Sequence, residues 1–218
     1  MAEQQVGVDA SAELDRQIGR LLESGYPAAA GRAEEDLVAL VEPLRDAAKS
    51  TVDGMGAREP TRSRLPFVVV VTSAVLPAVR AMPLTGLRGK AGFVSKDTSD
   101  IERFRPVDSI ELPHPEAYLL VDVERGDDLR NLAPDEALVR ITGRGRTPLT
   151  VDEGISMLVT SPAVLEKNHC FSLVGSRCGD KRVPALWISG GAPKLGWCWA
   201  GNPHTWLGSA STAGRVGA

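Results

Sequence analysis

The chain lacks any apolar run long enough to cross a bilayer. The longest runs, such as Phe67–Val71, are five residues, against the ~20 that a spanning helix needs. The opening, MAEQQVGVDASAEL, has neither a basic n-region nor an apolar h-region, which excludes a secretory signal peptide. There are 3 cysteines, an odd number that does not make a disulfide framework; a reduced, cytoplasmic setting follows. The net charge of −3 and the absence of a recognised binding motif argue against a nucleic-acid partner. Also missing are a P-loop spacing, a dinucleotide fingerprint, a G-x-S-x-G elbow and a C-x2-C pair. No cofactor and no metal site is indicated.

Aromatics make up only 5% of the 218 residues, yet all four tryptophans lie between Trp187 and the C-terminus, in WISGGAPKLGWCWAGNPHTWLGSASTAGR. Charge is just as uneven. Residues 1–60 carry 12 acids against 6 bases, residues 61–165 are nearly balanced, and residues 166–218 carry 2 acids against 6 bases. The Trp-rich end is thus the basic end. Large rings separated by small residues build either a dense corner of the core or a flat-walled pocket. A positive field around such a pocket suits a small anion; the other reading docks the basic end on the acidic N-terminal segment or on a partner subunit.

The order of elements predicts an α+β fold. Leu14, Ile18, Leu21 and Leu22 follow helical spacing, with Asp9 or Ser11 as N-cap and Gly25 as the stop. A second helix is expected from about Ala28 to Val52, kinked or split by Pro43. Residues 1–53 therefore read as a helical hairpin, 54–66 as a linker, and 67–218 as a domain with a mixed or antiparallel sheet and a β-rich, Trp/Gly-rich C-terminus. Within it, FVVVVT (67–72) is a strand covered on both faces, and YLLVDVE (118–124) is a second. Pro134 fits a first helical position, and Thr150 with Glu153 forms a capping box. Further strands are expected near 89–95, 169–175, 183–189, 196–200 and 205–208, and short helices near 99–104 and 162–167.

The segment VPALWISGGAPKLGWCWAGNPHTWLGSASTAGR resembles an uncharacterised family of actinobacterial proteins, a domain of unknown function. PFVVVVT, YLLVDVERG, GRTPLTVDEGI and SLVGSRCGDKRVPALW extend the resemblance to roughly residues 66–217. It implies a bacterial cytoplasmic context and assigns no activity.

The candidate ligand-binding residues are Trp199, Asn202, His204 and Trp206, with Arg177, Arg182, Lys194 and Arg215 around them. On a strand through 196–200, Trp197 and Trp199 share one face, and Gly196, Cys198 and Ala200 the other. The leading expectation is a protein that binds a small anionic ligand or a partner chain through this segment. An alternative is an enzyme in which His204 works beside Cys198, with Asp180 as orienting group. Another is a structural protein that self-associates through residues 1–53. His169, Cys170, Cys178, Cys198 and His204 lack zinc-ligand spacing. SGGAPK (189–194) has the flavour of a phosphate loop but no helix follows it.

Overall fold

The computed structural model describes residues 8–55 and 61–218. Residues 1–7 of the opening and 56–60 of the expected linker lie outside the described residues. The first helix, α1 (Ala10–Glu23), is capped by the Asp9 carboxylate, which accepts from the Ser11 and Ala12 amides; Gly25, with φ +77°, follows its end. The helical segment expected from Ala28 to Val52 is broken twice, once at Pro43 as expected and once more at Gly31. Gly31 ends α2 (Tyr26–Ala30), and a 3-10 turn at Glu42–Leu44, around Pro43, separates α3 (Glu34–Val41) from α4 (Arg45–Met55). Proline cannot donate to the preceding turn, so the backbone tightens there. The apolar residues of these helices, among them Leu14, Leu21, Leu37 and Leu44, are buried in a core shared with the sheets.

The rest of the chain builds two sheets, and the fold is α+β. The first runs β1 (Arg64–Val71), β6 (Ala117–Glu124), β13 (Ser211–Val216), β7 (Thr147–Pro148), antiparallel throughout. The second runs β12 (Leu207–Ser209), β8 (Cys170–Ser172), β10 (Arg182–Ser189), β11 (Ala192–Trp199), β4 (Phe93–Val94). Its outer pairs, β12–β8 and β11–β4, are parallel and its inner pairs antiparallel. Two short antiparallel pairs complete the strands: β2 (Gly86–Leu87) with β3 (Lys90–Ala91), and β5 (Arg105–Pro106) with β9 (Ser176–Arg177). The remaining helices are α5 (Ala78–Ala81), α6 (Pro134–Gly143) and α7 (Val151–Thr160).

Strand β1 is an edge strand buried from Leu65 to Val71, so its outward backbone groups need partners other than water. Gln17 of α1 supplies two: Val69 N donates to its Oε1 at 2.8 Å, and its Nε2 donates to Phe67 O at 3.0 Å. Ser156 of α7 supplies the next pair, accepting from Val71 N and donating to Val71 O. Side-chain amide and hydroxyl thus replace a neighbouring strand.

Helix α7 is apolar and small nearly all round, which a helix can be only inside a protein. Ser156 ties it to the first sheet, and Gly154 lets Leu173 and Leu186 of the second approach closely: a Cβ there would fall 2.5 Å from Leu173. Its one ion-paired side chain among the described residues is Glu153, fully buried. The carboxylate accepts from Thr150 N at 2.7 Å, from the Tyr118 hydroxyl at 2.8 Å, and from Arg215 Nε and Nη2 at 2.6 and 2.9 Å. Arg215 spends its remaining donors on Thr147 Oγ1 and Pro148 O. Burial and the Glu153 charge together push the Tyr118 phenol well above its ordinary range.

Arg215→Ala is expected to cost roughly 3–5 kcal/mol, because it strands a buried carboxylate. Urea denaturation checks this. The combined change Arg215→Met, Glu153→Leu, Tyr118→Phe should recover part of the loss, since no buried charge is then left alone. A loss below about 1 kcal/mol for Arg215→Ala would mean the pair behaves like a surface ion pair.

Candidate functional site

The central hairpin of the second sheet is β10–β11, whose register pairs Ser189 with Ala192 across the two residues Gly190 and Gly191. Both glycines have positive φ, +61° and +83°, the conformation a two-residue hairpin turn requires. SGGAPK is therefore a hairpin turn. In the same hairpin Trp187 lies over Gly196, where an added Cβ would stand 2.3 Å from the ring; only glycine leaves space for the indole. Trp206, just before β12, accepts at its backbone carbonyl from Cys170 N and packs edge-on against Trp187, ring centres 6.3 Å apart.

The Trp187–Trp206 pair is a wall shared by two hollows. The larger, about 940 Å³, is lined on one side by these rings and Ile188, and on the other by Leu87, Arg88, Leu165, Glu166, His169 and Cys170. Tight turns rim it: Arg88–Gly89 between β2 and β3, Lys167–Asn168 between the bridged Glu166 and His169, and Gly190–Gly191. Arg88 and Asn168 have positive φ, +51° and +66°. Asparagine takes this conformation readily, arginine at a cost of about 1–2 kcal/mol. Arg88 and Lys167 are exposed and make no ion pair among the described residues.

An ordered chain of charges forms the floor. Arg62 donates to Glu166 at 2.7 Å; Glu166 also accepts from Arg125, which is 4% exposed and forks onto Asp127 at 2.8 and 2.6 Å. Asp127 in turn meets His169 Nδ1 at 3.1 Å. Burial opposes the Asp127 carboxylate, but Arg125 outweighs it and, with His169, holds its pKa below the ordinary value. Hydrogen bonds from Arg62 and Arg125 lower that of Glu166. His169 Nε2 makes no hydrogen bond among the described residues.

The smaller hollow, about 310 Å³, lies on the other side of the wall and gathers Trp197, Cys198, Trp199, Asn202 and His204. Trp197 and Trp199 meet edge-to-face at 4.7 Å, and Trp199 is 47% exposed. His204 stands 5.3 Å from Trp206, ring to ring.

The structure thus brings Trp199, Asn202, His204 and Trp206 together beside Cys198, and places the expected positive rim elsewhere. Arg215 is the buried partner of Glu153. Arg182 forks onto Asp100 at 2.9 and 2.7 Å and also binds Asp180. Arg177 is held by the carbonyls of Val174 and Ser176 and by Asp135. Lys194 sits over the Trp187 ring, 5.1 Å from its centre. Asp180 is fixed in its own turn by Arg182 N and the Cys178 thiol and lines neither hollow. Among the described residues no three His, Cys, Asp or Glu side chains converge as metal ligands. Burial raises the thiol pKa of Cys170, Cys178 and Cys198, so each stays protonated near neutrality.

Sequence reasoning gave Arg62 and Arg88 no place in a site. The LRGK string could have shown Arg88, since Arg-Gly between short strands is a two-residue turn. Nothing local marks Arg62. A third hollow, about 410 Å³, lies beside Asp152, whose carboxyl accepts from Ser73 N; burial raises its pKa.

With this geometry in place, comparison with known families finds one match, a family of unknown function, DUF5701, over residues 20–218. The chain belongs to DUF5701. The match takes in both sheets, both hollows and only the last turn of α1. No curated protein and no solved structure matches it. Among the described residues of this DUF5701 chain, no helix is long and apolar enough to cross a membrane.

Two outcomes follow from the buried charges and thiols. Asp127, Glu166 and Asp122, the last held low by Arg64 and Arg146 against its burial, bind protons more weakly folded than unfolded. Their stabilisation is complete above the unfolded carboxylate range and is lost as pH falls below about 4. Denaturation midpoints measured from neutral to acid pH should fall steeply there, less so in Asp127→Asn. The three cysteines should react slowly with a thiol reagent in the native protein and fast once unfolded; a native thiol as fast as an unfolded one would contradict their burial.

Proposed function

We propose that this DUF5701 chain is a binding protein of the reduced cytoplasm whose larger hollow holds a small anion with a flat apolar part. One observation carries the reading: two indole walls and two exposed cations, Arg88 and Lys167, that make no ion pair among the described residues, face a single cleft. The carboxylate in that cleft, Glu166, is already engaged by two arginines, so the uncompensated charge is positive. An anionic group would meet the cations and His169 at the mouth while its planar part lies on Trp187 and Trp206. A volume of about 940 Å³ falls within the range of small-molecule sites, on the order of 300–1,000 Å³. The strain held at Arg88 also supports it, because unfavourable backbone persists where a side chain is needed in one place.

Of the expected residues Trp199, Asn202, His204 and Trp206, only Trp206 lines this cleft and contributes to the reading. An enzyme built on Cys198 has little support, since its thiol is buried and protonated. A second reading, proton transfer to or from the bound anion, rests on His169, which Asp127 orients through Nδ1.

The test is a thermal-shift and calorimetric panel of nucleoside phosphates, sugar phosphates and aromatic carboxylates. At least one class should raise the melting temperature by mass action. Arg88→Gly should weaken that ligand about tenfold, the worth of one charge-assisted contact, while leaving the melting temperature of the free protein unchanged or higher. Lys167→Ala should act likewise, and Trp206→Ala should weaken the planar ligands more than inorganic phosphate. A flat response to every anion would end this reading. If a ligand of the panel is turned over, His169→Gln should abolish turnover and keep binding.

A further inference from the structure

The smaller hollow has a different chemistry from its neighbour. All four tryptophans and His204 line it, together with Ala185, Cys198, Asn202 and Leu207; among the described residues no acidic residue, lysine or arginine lines it. Such a site neither neutralises an anion nor pairs with a cation. A cation is disfavoured further, because two of the rings already carry one: Lys194 over Trp187 at 5.1 Å and Arg182 over Trp197 at 5.8 Å.

Yet the hollow is not simply greasy. Trp197 Nε1 donates to Asp97 O at 3.0 Å, but the indole N–H groups of Trp187, Trp199 and Trp206 make no hydrogen bond among the described residues, and neither do the Asn202 amide nor the His204 ring. None of these is sealed from water. Flat aromatic faces, unspent donors and acceptors at their edges, and no net charge belong together in one kind of complementarity. The ligand must have an apolar face to lie on an indole and hydroxyl groups around its rim.

From this we infer that the hollow bounded by Trp199, Asn202 and His204 is a binding site for a neutral saccharide ring. The C–H face of the sugar would stack on the exposed Trp199, the positively polarised hydrogens against the negative face of the indole. Its hydroxyls would take the free indole N–H groups, the Asn202 amide and the imidazole. The site shares only the Trp187–Trp206 wall with the anion cleft, and the inference does not depend on that cleft being occupied.

The experiment is NMR of ¹⁵N-labelled protein, following the four indole N–H resonances during titration with glucose, N-acetylglucosamine, maltotriose, cellotriose and chitotriose. Choline chloride and a proline-rich peptide form the other arms. At least one neutral saccharide should move the Trp199 resonance saturably. Trp199→Ala should weaken it by about tenfold or more, as loss of a stacking platform implies, with no change in melting temperature since the ring is half-exposed. Asn202→Ala should weaken it too, and Arg88→Gly should leave it untouched, which separates this site from the anion cleft. The inference is overturned if no saccharide moves the Trp199 resonance at high millimolar concentration. It is equally overturned if saccharide binding survives Trp199→Ala, or if only choline or the peptide binds.

Discussion

Glu153 meets Arg215 in the interior, and the position of nearly everything else follows from that contact. A carboxylate with no exposure is tolerable only when each of its acceptor positions is used. Here they are filled from three directions: the start of α7, the Tyr118 hydroxyl on β6, and the guanidinium from β13, which itself reaches back to β7. One arrangement of helix and sheet satisfies all of these donors at once. With α7 fixed against the first sheet, its other face sets where Leu173 and Leu186 can pack, and so where the second sheet stands.

The same logic sorts the arginines. Arg125, Arg146, Arg182 and Arg215 have their guanidinium donors committed to carboxylates and carbonyls of the chain itself. Their charge is used inside the fold. Asp122 shows how far this goes: it sits in β6 with φ +50°, a conformation aspartate tolerates better than most residues, and Arg64 and Arg146 grip it there. Around the larger cleft, the cations that stay free among the described residues are set on turns. Arg88 and Lys167 are the cations so placed.

All four tryptophans line the smaller recess, and two of them, Trp187 and Trp206, also wall the larger cleft. Trp187 can lie flat because residue 196 has no side chain, and Trp206 leans on it from the start of β12. On one side of that wall the protein presents charge, on the other aromatic faces and neutral donors. A polar rim and an uncharged recess therefore stand back to back, sharing two rings.

Much of the local structure was legible in the residues. Asp9 as N-cap, Pro134 opening a helix, the Thr150–Glu153 box and the β-branched run 67–71 are each decided by short-range chemistry, and each is found where that chemistry puts it. The grouping of Trp199, Asn202, His204 and Trp206 was legible too, because a short turn between strands keeps them close. The break at Gly31 was not, since glycine inside a helical pattern is punctuation only when the neighbours demand a turn. Nor could the fate of the basic side chains be read: whether an arginine faces solvent or a buried carboxylate depends on residues distant along the chain, as Arg215 and Glu153 are. The sequence by itself determined the elements, their caps and the presence of an aromatic-rich end. Only the tertiary structure decided which charges are spent and which are free, because ion pairing is a property of distance in space and the chain order does not encode it.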